Sequence, residues 1–154
     1  MSEGVEARLA ALGIELPAAA APAANYVPYV LTGNQLWIAG QVPFENGKIV
    51  YRGQVGDDLS IEDGIAAART CGLNILAQAK AALGDLDRVA RVVKLGGFVN
   101  APPEFTDHPK VINGASDVIV EVFGEIGRHA RFAVGAGGLP MNSAVEVDAV
   151  MEVT

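Results

Sequence analysis

A stretch near the C-terminus, RFAVGAGGLPMNSAVE from Arg131 to Glu146, combines a cation and a carboxylate with small residues between them. Apolar residues alternate on both sides of its Gly-rich turn, and this period of two predicts strands with one buried face. If the two runs pair as an antiparallel hairpin, Arg131 lies beside Asp148 on one face, with Glu146 one diagonal away. The small residues there leave space for an anionic ligand. The alternative interpretation is an exposed ion pair, worth at most about 1 kcal/mol.

Composition limits the partners and the compartment. Of the 154 residues, 51% are hydrophobic, and the formal net charge is −7. Such an acidic chain is repelled by phosphate backbones, so nucleic acid is not expected as a partner. No apolar run is long enough to predict a membrane span, and the apolar excess predicts burial between subunits. A single cysteine and no visible signal peptide predict a cytoplasmic protein without a disulfide.

The spacing of residues predicts neither a metal site nor a catalytic nucleophile. His108 and His129 are far apart, with no cysteine or carboxylate at ligand spacing, so neither a metal site nor a cofactor is expected. Cys71 falls inside a predicted helix and is expected to be a small core residue. Ser60 and Ser143 have no evident histidine base beside them.

The pattern of elements predicts an α+β domain. A short amphipathic helix and an Ala/Pro-rich connector occupy residues 1–24, and residues 25–154 form a single domain. The predicted elements are Ser2–Leu12, Tyr26–Leu31, Gln35–Ala39, Lys48–Gly53, a helix between Ser60 and Gly84, Val89–Val99, Pro109–Ile126 and the two C-terminal runs. This order predicts a six-stranded mixed sheet with two helices packed on one face. The extra N-terminal helix is expected to pack on the body of the protein, away from the functional site.

Two motifs together resemble one known family. They are RFAV…LP…EVDA between Arg131 and Ala149, and GNQLWIAGQVP from Gly33 to Pro43. Both are similar to signatures of the reactive intermediate deaminase family, also called Rid or YjgF. The resemblance implies a chorismate-mutase-like α+β fold that forms a homotrimer with three ligand clefts between subunits. It also implies hydrolysis of enamine and imine intermediates, such as 2-aminoacrylate, to 2-oxo acids and ammonia.

The resemblance assigns catalytic roles to three residues. Arg131 would clamp the substrate carboxylate, because a planar guanidinium matches a carboxylate bidentately. Glu146 would orient and polarise the attacking water, and the Tyr26 hydroxyl would hydrogen-bond the water or the substrate. Without the resemblance, Arg131 is interpreted as part of a surface ion pair, Glu146 as a charge on the sheet face and Tyr26 as a core aromatic residue at a strand edge.

Further positions are expected to contact the ligand, a small imine, enamine or 2-oxo acid that carries a carboxylate. The resemblance implies contacts from the backbone N–H groups of Gly40 and Ala133 and from Asn113 on the second helix. A solvated helix residue is the alternative interpretation of Asn113. Ala39 replaces a frequent serine of the family, and the loop Asn100–His108 is longer than in compact members. Because loops carry specificity, these departures leave a different ligand open.

Two other functions stay open from the sequence. A non-catalytic trimeric module could use the Arg131 cleft to bind small carboxylates or 2-oxo acids. The second is a protein-interaction role, and some relatives of this kind have been described as endoribonucleases, which the negative net charge disfavours. Catalysis needs Glu146 in addition to the clamp, so the loss of Glu146 should separate an enzyme from a binding module.

Overall fold

The computed structural model describes residues 4–154, which form an α+β fold with helices packed on one face of a mixed sheet. The helices are α1 (Val5–Ala11), α2 (Ile61–Leu83) and α3 (His108–Phe123). The strands are β1 (Tyr29–Thr32), β2 (Gln35–Gln41), β3 (Phe44–Glu45), β4 (Lys48–Ile49), β5 (Val89–Asn100), β6 (Ala130–Ala136) and β7 (Val145–Val153). Short 3-10 turns cover Leu86–Arg88, Gly124–Gly127 and Pro140–Asn142. The α+β class is therefore confirmed.

The main sheet has five strands, in the order β1-β2-β7-β5-β6. The predicted count of six is wrong, because the segment Lys48–Gly53 does not reach this sheet. Only Lys48 and Ile49 form a strand there, and they pair with β3 in a separate two-stranded ribbon. The left-handed conformations of Asn46 and Gly47 make the tight turn of this ribbon.

The predicted C-terminal hairpin is also wrong, since β6 and β7 are not neighbours. Strand β5 lies between them, antiparallel to β7 and parallel to β6, with Arg131 opposite Leu95. Helix α3 is the crossover that brings the chain back for this parallel pairing. The 12-residue β5 therefore takes the position between β6 and β7, which a hairpin of the two C-terminal strands would have closed to it.

This topology separates Arg131 from both carboxylates. Leu95 is buried against the helices, and its register partner Arg131 faces the same side. Glu146 pairs with Phe98, and Asp148 pairs with Gly96. Phe98 and Gly96 point to the opposite side of β5 from Leu95, so both carboxylates face the side without helices. The predicted pairing of Arg131 with Asp148 is therefore not formed.

Helices α2 and α3 pack tightly over the other side of the sheet. Ser60 caps α2 in a capping box with Asp63, as predicted, and Gly84 ends the helix in a left-handed conformation. A Cβ atom at Gly114 would overlap the Ile65 carbonyl, so this glycine permits close helix approach. None of the helices within residues 4–154 has the length and hydropathy that a membrane crossing requires.

The side of the sheet without helices carries large apolar residues in the single chain. Trp37 is 52% exposed, and its cross-strand neighbours Val30 and Val150 lie on the same face. Val134 adds a further exposed side chain on β6. Exposed apolar surface of this kind is typical of an interface between proteins. The homotrimer stays a prediction.

Helix α1 packs where the sequence predicted, on the body of the domain. Val5 and Leu9 are buried, the Val5 N–H group donates to Asp87 Oδ1 over 2.8 Å, and Arg8 donates to the Val122 carbonyl. The predicted start at Ser2 lies outside the described residues.

Candidate functional site

A cavity of about 470 Å³ lies where the end of β2 meets the start of β7. Three of the predicted site residues, Tyr26, Gly40 and Glu146, line it. The remaining lining residues are Ala20, Ala21, Pro22, Ala23, Pro28, Gln41, Val42, Phe44, Gln78, Pro140 and Met141. Ligand pockets of this size, with apolar walls and a few polar groups, typically bind small molecules.

Gly40 leaves room for the Glu146 carboxylate in the lining of this cavity. The register of β2 and β7 shifts between Ile38 and Gln41, so Ala39 and Gly40 form a bulge opposite Asp148. A Cβ atom on Gly40 would overlap the Glu146 carboxylate. A bulge at a functional site re-aims the chain, and here it brings the backbone directly against the acidic group.

The environment of Glu146 favours its protonated form more than water does. Its side chain is half-buried, and burial, followed by repulsion from Asp148, raises the pKa of the Glu146 carboxyl. Burial also raises the pKa of Asp148, although the Gly96 N–H group and Lys94 oppose this. A carboxyl whose pKa moves toward neutrality is suited to exchanging protons with a ligand.

Cys71 lies in the core behind the start of β7, as the sequence predicted. Its thiol points toward the Val145 carbonyl, and burial, with repulsion from Glu146 second, raises the pKa of the Cys71 thiol. A thiol held protonated in this way is an inert core group.

Tyr26 is 48% exposed at the cavity, before β1 begins at Tyr29. The predicted strand start at Tyr26 is therefore wrong, as is the interpretation of this residue as a core aromatic. Its N–H group donates to the Ala24 carbonyl over 2.9 Å in an irregular segment. Because Tyr26 is exposed and lines the cavity, its side chain is accessible to a ligand there.

Arg131 is held against helix α3 on the other side of the sheet. Its guanidinium donates to Ser116 Oγ over 3.0 Å and to the Pro109 carbonyl over 2.9 Å. His129 completes the network, with Nε2 lying 2.8 Å from Ser116 Oγ and Nδ1 lying 2.6 Å from the Gly127 carbonyl. A carbonyl only accepts, so Nδ1 carries the proton and Nε2 accepts from the Ser116 hydroxyl.

This network fixes the guanidinium in one orientation. Burial, with repulsion from Arg131 after it, lowers the pKa of His129, and the Gly127 carbonyl opposes the shift only in part. The imidazole therefore stays neutral and keeps accepting from Ser116. Arg131 has five N–H donors, and two of them are used here, which leaves others for an anion.

The remaining predicted contacts lie on the Arg131 side. Asn113 is exposed on α3. Ala133 is two residues after Arg131 on β6, so both side chains face the helices. The chain therefore carries two groups of candidate residues. One group consists of Arg131, Ala133 and Asn113, and the other of Tyr26, Gly40 and Glu146, and the sheet separates them.

Several residues at the two groups have no clear signal in the sequence. Ser116 bonds Arg131, and His129 bonds Ser116, only because α3 crosses over before β6. Met141 and Asn142 both adopt left-handed conformations, with φ of 57° at each, directly beside the cavity. Such backbone costs about 1–3 kcal/mol at each non-glycine residue and is concentrated at functional sites.

Within residues 4–154, no group of three or more His, Cys, Asp or Glu side chains is close enough to hold a metal ion.

Known proteins share this sequence and fold over nearly the whole chain. The family model described as "YjgF/chorismate_mutase-like, putative endoribonuclease" matches residues 6–153. Protein TCP17 of Trypanosoma cruzi is 57% identical over 149 residues, which covers 96% of this chain and 93% of that protein.

Solved structures agree with this match. The protein Atu1372 from Agrobacterium tumefaciens, described as having unknown function, has a TM-score of 0.91 and 52% identity, over 97% of this chain and 92% of that one. A protein from Shewanella oneidensis MR-1, described as a putative endoribonuclease, has a TM-score of 0.95 and 42% identity, over 98% and 100% of the two chains. The chorismate-mutase-like fold predicted from the two motifs is thereby confirmed.

Proposed function

The chain belongs to the YjgF/chorismate mutase-like family, and on this premise we propose that it is a hydrolytic deaminase of enamine and imine intermediates. Its products would be 2-oxo acids and ammonia, and it would work as a homotrimer in the cytoplasm. The observation that carries the proposal is the Glu146 carboxyl, which faces a cavity of ligand size and has a raised pKa.

The separation of Arg131 from Glu146 supports a cleft between two subunits. Neither side chain can reach the other through its own sheet, because their register positions face opposite sides. An assembly that seats the β6 side of one subunit against the cavity of the next would join the two groups. The apolar face around Trp37 and Val134 offers the surface for such an assembly.

In this cleft the substrate carboxylate would bind the guanidinium of the partner subunit, with Asn113 and the Ala133 backbone beside it. Glu146 would accept a proton from water while the water oxygen attacks the imine carbon, and would pass that proton to the imine nitrogen. The resulting carbinolamine collapses to the 2-oxo acid when Glu146 takes the proton of the new hydroxyl group and gives it to the nitrogen, and the C–N bond breaks to release ammonia. Tyr26 and the Gly40 backbone would position the water and the substrate.

A trimeric module that binds small carboxylates or 2-oxo acids without turnover is the second candidate. It is favoured by the same fixed guanidinium, because the contacts of Arg131 with Ser116 and Pro109 suit anion binding whether or not chemistry follows. Endoribonuclease activity, the description carried by the family, is disfavoured by the net charge of −7.

Coupling an L-amino acid oxidase to this protein tests the proposal. The oxidase releases imines of several amino acids, and the decay of each imine is followed with and without the protein. Wild type should accelerate the decay, and Glu146→Gln should bind 2-oxo acids but lose the acceleration. If wild type binds 2-oxo acids and accelerates no imine, the binding module is the better description.

A further inference from the structure

The N-terminal connector forms one wall of the cavity that contains Glu146. Ala20, Ala21, Pro22 and Ala23 line it together with Val42 and Phe44. The expectation that the N-terminal helix lies away from the site concerned α1 alone, and no residue of α1 lines this cavity.

Helix α2 fastens this wall with a buried side chain. Gln78 is 1% exposed, and its Nε2 donates to the Ala20 carbonyl over 2.8 Å. One turn earlier, Asn74 donates to the Val42 and Phe44 carbonyls, each over 3.0 Å. Two buried amides on one helix face thus hold both walls at a fixed separation, which a loosely attached connector would not maintain.

Polar and apolar groups both line the cavity. Its polar side chains include those of Glu146, Gln41 and Gln78, while the connector and Phe44 contribute methyl, ring and methylene groups. Met141, placed by its left-handed backbone, adds a flexible thioether side chain. Its backbone carbonyl accepts from Arg52 over 3.2 Å, so the turn that presents it is held from outside.

We propose that the connector wall is the subsite for the substrate side chain, and that the protein prefers imines with branched aliphatic or aromatic side chains over the imine of alanine. The proposal rests on the deaminase function above and names its substrate class. With the reacting carbon beside Glu146, a side chain of leucine or phenylalanine size extends between the connector and Phe44. The methyl group of the alanine imine does not fill that space, so water stays against the apolar wall. Less apolar surface is then buried on binding, and binding is weaker.

The test compares imines generated from leucine, phenylalanine and alanine. For wild type, kcat/KM should be about 50-fold higher for the leucine imine than for the alanine imine, which corresponds to three additional buried carbons at roughly 0.8 kcal/mol each. Ala23→Phe fills the space beside the connector wall and should lower this ratio at least about tenfold. Gln78→Leu removes the hydrogen bond to the Ala20 carbonyl, and it should also lower the ratio of kcat/KM for the leucine imine to kcat/KM for the alanine imine.

Ala19→Phe is the matched control, because Ala19 is exposed on the same connector but does not line the cavity. Its ratio should equal that of wild type. A wild-type preference for the alanine imine would overturn the proposal, as would equal ratios in Ala23→Phe and Ala19→Phe.

Binding measurements separate failure of this proposal from failure of the deaminase function. Calorimetry with 4-methyl-2-oxopentanoate and pyruvate compares the same two side chains without turnover. If no imine is hydrolysed, the deaminase function fails. The wall proposal then stands when wild type favours 4-methyl-2-oxopentanoate and Ala23→Phe removes that preference, and it fails when the two affinities are equal.

Discussion

Replacing Arg131 tests the anion clamp most sharply, because the structure shows how this side chain is held. Its guanidinium donates one N–H group to Ser116 Oγ and another to the Pro109 carbonyl. The remaining N–H groups of the planar guanidinium are left for a carboxylate. Loss of one partner from a desolvated charge pair costs about 2–5 kcal/mol, which is roughly 30-fold to several thousand-fold in affinity. Arg131→Ala should weaken pyruvate binding by this amount.

Arg131→Lys should be nearly as harmful as Arg131→Ala. A single ammonium keeps the charge but cannot bond Ser116 and Pro109 while presenting a bidentate fork. Ser116→Ala is the graded comparison, because it removes one hydrogen bond to the guanidinium and leaves the charge in place. That loss should cost about 1.5 kcal/mol, or roughly tenfold in affinity.

Calorimetric titration with pyruvate measures all three variants, and size exclusion with circular dichroism checks that each still folds and assembles. Folding should survive, because Arg131 is only partly buried and belongs to no core contact. Wild-type affinity in Arg131→Ala would refute the clamp. Equal affinities of wild type and Arg131→Lys would refute the need for the fork.

Three further predictions concern the acidic group, the bulge and the N-terminal helix. Asp148→Asn removes a negative neighbour and lowers the pKa of Glu146. Activity needs the ionised carboxylate, which is lost as pH falls. The acid limb of the kcat/KM profile should therefore move to lower pH. An unmoved limb would exclude Glu146 as the titrating group. Gly40→Ala pushes the Glu146 carboxylate aside and should lower kcat at least about tenfold with less than about 1 kcal/mol change in chemical denaturation. Leu9→Ala, at a residue 3% exposed, should cost about 2–4 kcal/mol of unfolding free energy and leave kcat/KM unchanged, and a loss of activity without loss of stability would place α1 in the site.

The sequence predicted which segments form helices and strands better than it predicted which strands pair with each other. Alternation identified β7, and the capping box at Ser60 with the glycine at position 84 set the ends of α2. The same alternation could not show that β6 pairs with β5, because strand pairing depends on where α3 returns the chain. The error moved Arg131 to the wrong side of the sheet.

The candidate site shows a similar division. Arg131, Glu146, Tyr26 and Gly40 stood out through the motifs, and the fold places the last three around one cavity. The wall made by Ala20–Ala23 had no signal, since an Ala/Pro tract has no periodicity and its hydrogen bond from the buried Gln78 forms only in the folded protein. Contacts made by a crossover or a connector are properties of the tertiary structure.

Mixing two inactive variants tests the central claim, that the cleft joins Arg131 of one subunit to Glu146 of the next. Arg131→Ala and Glu146→Gln are each expected to be inactive in imine hydrolysis alone. When the two are co-expressed in equal amounts, half of the arginine positions and half of the glutamate positions are intact. About one quarter of the clefts in randomly mixed trimers then carry both groups. Imine hydrolysis at about a quarter of the wild-type rate is the predicted result, and mixed trimers no more active than either variant alone would contradict it.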